Sequence, residues 1–289
     1  MRRPAVLVAL PFALGSCATS PGAPDGERAS SPSSFSTSSS SPSLPPAPGI
    51  AAEAVLLRTD EAVGGRFQVR ITATGNEPFG VRAVALAVPG LAPLPPTPVT
   101  AEFVRGRVID LPAPYGRPDC AVAPEPAAAR LAVVRGDGPA EEVTVPLTGD
   151  VPARVHAQEC AGEAVAAVAE LAVTVLEAGE EQLTGRLALR RTGGDEPLTV
   201  GRIGRSVLVD VEAGELPARL EADAGATAVP LTFRPATCEP HVLTETKQPY
   251  VFPLEVAIGD ASPVVVDLPV DDALRVALGD LVRRVCGGA

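Results

Sequence analysis

Four cysteines and two histidines carry the reactive chemistry of this chain beyond its first residues: Cys120, Cys160, Cys238 and Cys286, with His156 and His241. Thiolates and imidazoles together hold zinc tetrahedrally. His156 stands four residues before Cys160 and His241 three after Cys238, so an H-x₃-C and a C-x₂-H fragment would make a Cys₂His₂ set if they met in space. In an oxidising compartment the same four thiols pair with one another instead, in one of three ways. Nucleophilic catalysis needs a base beside its nucleophile. The two histidines are the only imidazole bases, and neither a G-x-S-x-G elbow nor a phosphate-cradling glycine frame occurs. Gly201-Arg202-Ile203-Gly204-Arg205 lies in a strand-like run without that frame. A hydrolase would need carboxylates such as Glu141-Glu142 or Glu180-Glu181 to meet in a cleft. The expectation is a chain that binds rather than catalyses and carries no cofactor, with a ligand or metal carrier built on His156, His241 and the thiols as the alternative, and a hydrolase as the lesser one.

The N-terminus decides between the two thiol chemistries. Arg2 and Arg3 precede an apolar run, Ala5 to Leu14, that ends in Gly15, Ser16 and Cys17. A positive start, a short apolar core and small residues at a cut site make a secretory signal peptide. The run is well short of the roughly 20 apolar residues that span a bilayer. Leu14-Gly15-Ser16-Cys17 resembles the lipobox of bacterial lipoproteins. That resemblance implies cleavage after residue 16 and attachment of diacylglycerol and palmitate-like chains to Cys17, which would hold the protein at the outer face of the cell membrane. Residues 17–50 are dominated by serine and proline, a composition that buries too little apolar surface to offset ordering. They read as a tether with a reach of about 30 Å.

Composition narrows the partners. The net charge is −11, and −13 without Arg2 and Arg3; Lys247 is the only lysine. Nucleic-acid binding rests on phosphate neutralisation and is excluded as an expectation. Aromatic residues are 3% and tryptophan is absent, which disfavours carbohydrate platforms. A near-absence of lysine and methionine reads as the imprint of a high-GC genome. With the lipobox and the Tyr115-Gly116-Arg117-Pro118-Asp119-Cys120 motif, the chain resembles secreted lipoproteins of actinomycetes. That resemblance brings no activity; the expected partner is another surface protein or a cell-wall component, besides the membrane itself.

The rest of the chain repeats. TGNEPFGV (74–81) is echoed by GGDEPLTV (193–200), RVIDLPAPYGRPDC (107–120) by TAVPLTFRPATC (227–238), and LAVVRGDGPAEEVTVPLTGD (131–150) by LEVAIGDASPVVVDLPVDD (254–272). Each half closes on a helix-like stretch that carries a cysteine, Cys160 or Cys286. Four echoes in one order predict two tandem copies of one domain, 51–161 and 162–289, after the signal peptide (1–16) and tether (17–50). The repeat selects Cys120–Cys160 and Cys238–Cys286 among the three pairings. RFQVRITA (66–73) alternates with period two, and short β-branched runs bounded by Gly, Pro and Asp recur. The fold class expected is mainly β: two immunoglobulin-like antiparallel β-sandwiches, each closed by a short C-terminal helix. Leu274, Leu278, Leu281 and Val282 share one face of the last helix, with Asp271 or Asp272 as its cap. EAVAAVAELAVTVL (163–176) mixes helix and strand formers, and its end reads as strand. Arg117 and Arg234 fall at matching points before the cysteines, candidates for a paired contact or for simple turn formers.

Overall fold

The computed structural model describes residues 44–287, which belong to one compact unit. The signal peptide, Cys17 and all but the last residues of the expected tether lie outside the described residues. The chain is mainly β, with antiparallel sheets. Its first part runs β1 (Ile50–Val55), α1 (Arg58–Val63), β2 (Arg66–Ala73), β3 (Phe79–Ala87), β4 (Thr97–Phe103), β5 (Val108–Pro114), β6 (Ala128–Val134) and β7 (Glu141–Thr148). These strands form one seven-stranded sheet in the order β4-β3-β6-β7-β1-β2-β5. All its pairings are antiparallel except one: β1 lies parallel to β7, with Ala52 opposite Leu147 and Glu53 opposite Thr148.

Period-two alternation makes β2. Phe67, Val69 and Ile71 are fully buried while Arg66, Arg70 and Thr72 reach water. Gln68, on the face expected to be wet, is buried as well, because its amide Nε2 donates to both carboxylate oxygens of Asp60 at 2.8 and 2.9 Å. Asp60 sits in α1, is itself buried, and takes a further bond of 2.9 Å from Arg66 Nε. A short helix unforeseen in the sequence is thereby pinned onto the sheet by one polar knot.

Helix α2 (Val151–Val168) follows, and runs directly into β8 (Ala169–Ala178). The second part continues with β9 (Leu183–Arg191), β10 (Leu198–Ile203), β11 (Val209–Ala213), β12 (Ala218–Leu220), β13 (Ala226–Pro235), α3 (Pro240–Glu245), β14 (Pro253–Ile258), β15 (Val264–Asp267) and α4 (Asp272–Cys286). Its strands make two four-stranded sheets, β12-β10-β14-β15 and β11-β13-β9-β8. The echoed segments fall on matching elements: the first pair leads into β3 and β10, the second covers β5 and β13, and the third covers the hairpins β6–β7 and β14–β15.

Two apolar cores result, one around Phe67, Phe103, Ile71 and Leu131, the other around Phe233, Phe252, Leu187 and Leu198. Helix α2 belongs to both. Val151 and Val155 pack into the first core, Val165 and Val168 into the second. The boundary expected at 161/162 therefore falls inside this helix. The physical reason is the run Glu163–Val168, whose alanines sustain helix until Val168, where the backbone turns extended at Ala169. The closing helix of the first half is also longer than expected, at 18 residues. Helix α4 buries Leu274, Leu278, Leu281 and Val282, and Asp271 Oδ1 accepts from Leu274 N at 2.7 Å, a cap that contributes about 1 kcal/mol.

Candidate functional site

The two staples are Cys120–Cys160 and Cys238–Cys286, with Cα separations of 5.6 and 5.2 Å. The first ties the loop after β5 to the middle of α2, the second ties the loop after β13 to the last turn of α4. Every cysteine beyond Cys17 is thus bonded, so the carrier alternative lacks the thiols it requires. Among the described residues no group of His, Cys, Asp and Glu is arranged to hold a metal ion. The two histidines sit apart in role. His156 is buried in α2, its Nε2 3.1 Å from the Asp119 carbonyl and 3.7 Å from Cys160 Sγ. Its ring packs over Gly90, which has φ +76°; a Cβ there would lie 2.8 Å from His156 Nε2 and collide with the Val122 carbonyl. His241 is exposed on α3 and lines a different cleft.

Arg117 and Arg234 are not structural equivalents. Arg234 lies within β13, where its guanidinium reaches Glu212 at 2.9 Å and Gln182 Oε1 at 2.7 Å. Arg117 lies on the loop after β5, almost wholly in water, 3.6 Å from Glu163 of α2. The echo of sequence holds at the staples but not at these side chains, because β13 continues through Arg234 while β5 ends at Pro114.

The concave surface with the clearest chemistry runs along α2. Strands β8 and β15 each end their sheet, and no hydrogen bonds join them. Between them, against α2, two adjoining hollows of about 480 and 440 Å³ share Gly162, Ala166, Val266 and Asp267. The floor is apolar: Val165, Ala169, Leu171 and Pro269. The rim is acidic: Glu159 and Glu163, one turn apart on α2, Glu170 on β8 and Asp267 on β15. Partial burial raises the Asp267 pKa from its ordinary value although the side chain still reaches water, and Glu61 of α1 adds to the rise. Arg117 already answers one rim charge, and Tyr115 Oη donates to Glu159 Oε1 at 2.8 Å. Burial, then this bond, push the Tyr115 phenol up to about 12.

None of the groove residues stood out in the sequence as a site. The signal available was Glu159 and Glu163 at like-charge i,i+4 spacing, which in an isolated helix is unfavourable and asks for a partner. A second cleft, of about 710 Å³, lies between α1 and the segments 205–207 and 241–253, and gathers Arg58, Arg205, His241 and Lys247 with Glu61 and Glu245. Among the described residues no helix is long and apolar enough to cross a membrane.

No family model matches the chain, and no curated protein matches it. A solved structure with some likeness is a transglutaminase of red sea bream, at 12% identity and a TM-score of 0.24 over 75% of this chain. The chain spans 31% of that protein's length, and at such a score the likeness carries no argument about fold or function.

Proposed function

We propose that this protein is a lipid-anchored, extracytoplasmic binding module that holds an extended, basic segment of a surface protein in the groove along α2. In this reading Cys17 carries the anchor, the Ser/Pro tract lifts the folded part from the membrane, and the folded part is two copies of one immunoglobulin-like sandwich. Matching strand orders support the last point. The β4-β3-β6-β7 run corresponds to β12-β10-β14-β15, and β1-β2-β5 to β8-β9-β13. The disulfides fit an oxidising compartment.

One observation carries the binding role: β8 and β15 leave a seam with two free strand edges, an apolar floor and an acidic rim. Free strand edges accept a further strand through main-chain bonds. The rim chooses a partner by charge, and a chain of net −11 steers cations toward it. A peptide alternating lysine or arginine with valine would match both features, apolar side chains down and cations at the rim.

The test is photo-crosslinking in the protein's own cells from a reactive residue introduced at Leu171 in the groove, with Glu177 on the distal end of β8 as the control. A single adduct from position 171, absent from position 177 and weakened by Glu163→Lys, is expected. Identical adducts from both positions, or an adduct indifferent to the rim charge, would refute the groove as the contact.

A further inference from the structure

The two staples occupy corresponding places but have different surroundings. In each, one cysteine is exposed on a loop and the other half-buried on the closing helix: Cys120 with Cys160, Cys238 with Cys286. Cys286 Sγ lies 3.6 Å from the Thr237 carbonyl, which offers no proton. Beside Cys160 Sγ is His156 Nε2 at 3.7 Å. That ring is held in place by the Asp119 carbonyl and the bare face of Gly90. A thiolate is expelled faster from a disulfide when its charge is stabilised as it forms, and an imidazolium within reach does so by charge and by proton transfer.

We propose that Cys120–Cys160 is a thiol–disulfide exchange site for dithiol partners, with His156 as the proton donor to the leaving sulfur. The thiolate of a dithiol attacks the exposed Cys120 Sγ. The Cys120–Cys160 bond breaks, its electron pair departs on Cys160 Sγ, and that sulfur takes the proton of the His156 imidazolium. The second thiol of the partner, as thiolate, attacks its own sulfur in the mixed disulfide and expels Cys120, which is protonated by water. The partner leaves oxidised to a disulfide, and Cys120 and Cys160 are left as thiols. The site adjoins the groove: Cys120 Sγ lies 3.9 Å from Glu163 Oε2 on its rim, and opening the bond frees the loop whose Arg117 pairs with that carboxylate. Among the described residues no histidine is hydrogen-bonded to either sulfur of Cys238–Cys286, which serves as a built-in comparison.

The experiment exposes the intact protein to limiting dithiothreitol, traps free thiols with iodoacetamide and follows the four cysteines by peptide mass spectrometry. Cys120–Cys160 is expected to open at least about tenfold faster than Cys238–Cys286, an advantage His156→Gln removes while leaving the second staple unchanged. The ratio of the two rates cancels the ionisation of the reagent. Equal rates, or an advantage that survives His156→Gln, would overturn the proposal. Should His156→Gln fail to fold, His156→Asn is the second variant: loss of the advantage is expected, and its survival overturns the proposal.

Discussion

The two halves of the molecule solve the same problem differently at one seam. In the first, β1 lies parallel to β7 and closes the gap between its two groups of strands, so a single seven-stranded sheet wraps the core. In the second, the corresponding strands β8 and β15 stay apart, and α2 lies against the opening. The cause is the connection. β1 follows a turn at Pro48–Gly49 and pairs with β7 through Ala52 and Glu53. β8 leaves directly from α2, whose last turn buries Val165 and Val168 in the second core, so its start is fixed by the helix. The groove thus lies where the strand that follows α2 and the strand that precedes α4 each end a sheet.

A similar contrast runs through the cores. Buried polar groups in the first half are Asp60, Gln68 and His156, while in the second Ser206 is the buried polar residue among those described. Ser206 satisfies itself within a turn, accepting from Val209 N at 3.0 Å and donating to Val209 O at 3.1 Å. The second core is sealed instead by four apolar residues of α4.

The largest effects test the staples as equals in stability though not in reactivity. The closed loops span 40 and 48 residues, and removing either bridge by paired Cys→Ser substitution is expected to cost about 4 kcal/mol. Denaturant unfolding of the two double variants measures this. A loss confined to one bridge would break the equivalence of the halves.

Next is the polar knot, which has no counterpart in the second half among the described residues. Asp60→Ala leaves the buried Gln68 amide without its acceptor and Arg66 without its ion partner. Arg66 is partly in water, which tempers the loss, and about 3 kcal/mol is expected. Urea midpoints check it. A change under about 0.5 kcal/mol, the scale of an ordinary surface substitution, would show the knot to be incidental.

Much of this architecture was legible in the sequence because it is written in local and repeated signals. Alternation in RFQVRITA is β2, the Leu274-Leu278-Leu281-Val282 stripe is the buried face of α4, and the order of echoes selected the disulfide pairing seen. What stayed hidden depends on distance in space. Gln68 occupies a wet-face position and is buried by a carboxylate eight residues away. Arg117 and Arg234 align by sequence and part company because one strand runs longer than the other. The groove is made by residues of α2, β8 and β15, separated by about a hundred positions, and no spacing rule joins Glu163 to Asp267.

The two tyrosines sharpen the comparison at high pH. Burial raises both phenols, Tyr115 to about 12, where the Glu159 bond adds to the rise, whereas Arg283 and Arg275 partly offset it at Tyr250. A phenol raised in the folded state contributes stability that is intact below about pH 10 and is lost as pH climbs toward 12. Ultraviolet titration of Tyr250→Phe is expected to show Tyr115 ionising late, and adding Glu159→Gln to bring it earlier. A Tyr115 that titrates like a free phenol would detach the loop from α2.

The smallest expected effect bears most directly on the open seam. Asp267 faces the groove from β15, and partial burial, then Glu61, raise its pKa from its ordinary value. A carboxyl raised in this way favours the folded state while protonated, and that contribution is lost as pH rises through its folded pKa. At neutral pH the ionised Asp267 is therefore a local cost of leaving the seam unfilled. Asp267→Asn removes that cost; because the side chain still meets water, screening discounts it, and a rise in Tm of at most about 1 °C at pH 7 is expected, vanishing near pH 3. A basic strand bound along β15 would reverse the sign, since its cations reward the carboxylate. Asn at 267 should then raise the stability of the free protein and weaken its hold on a Lys-Val alternating peptide. A variant that shifts both in the same direction would mean that the groove's acidity serves the fold and not a partner.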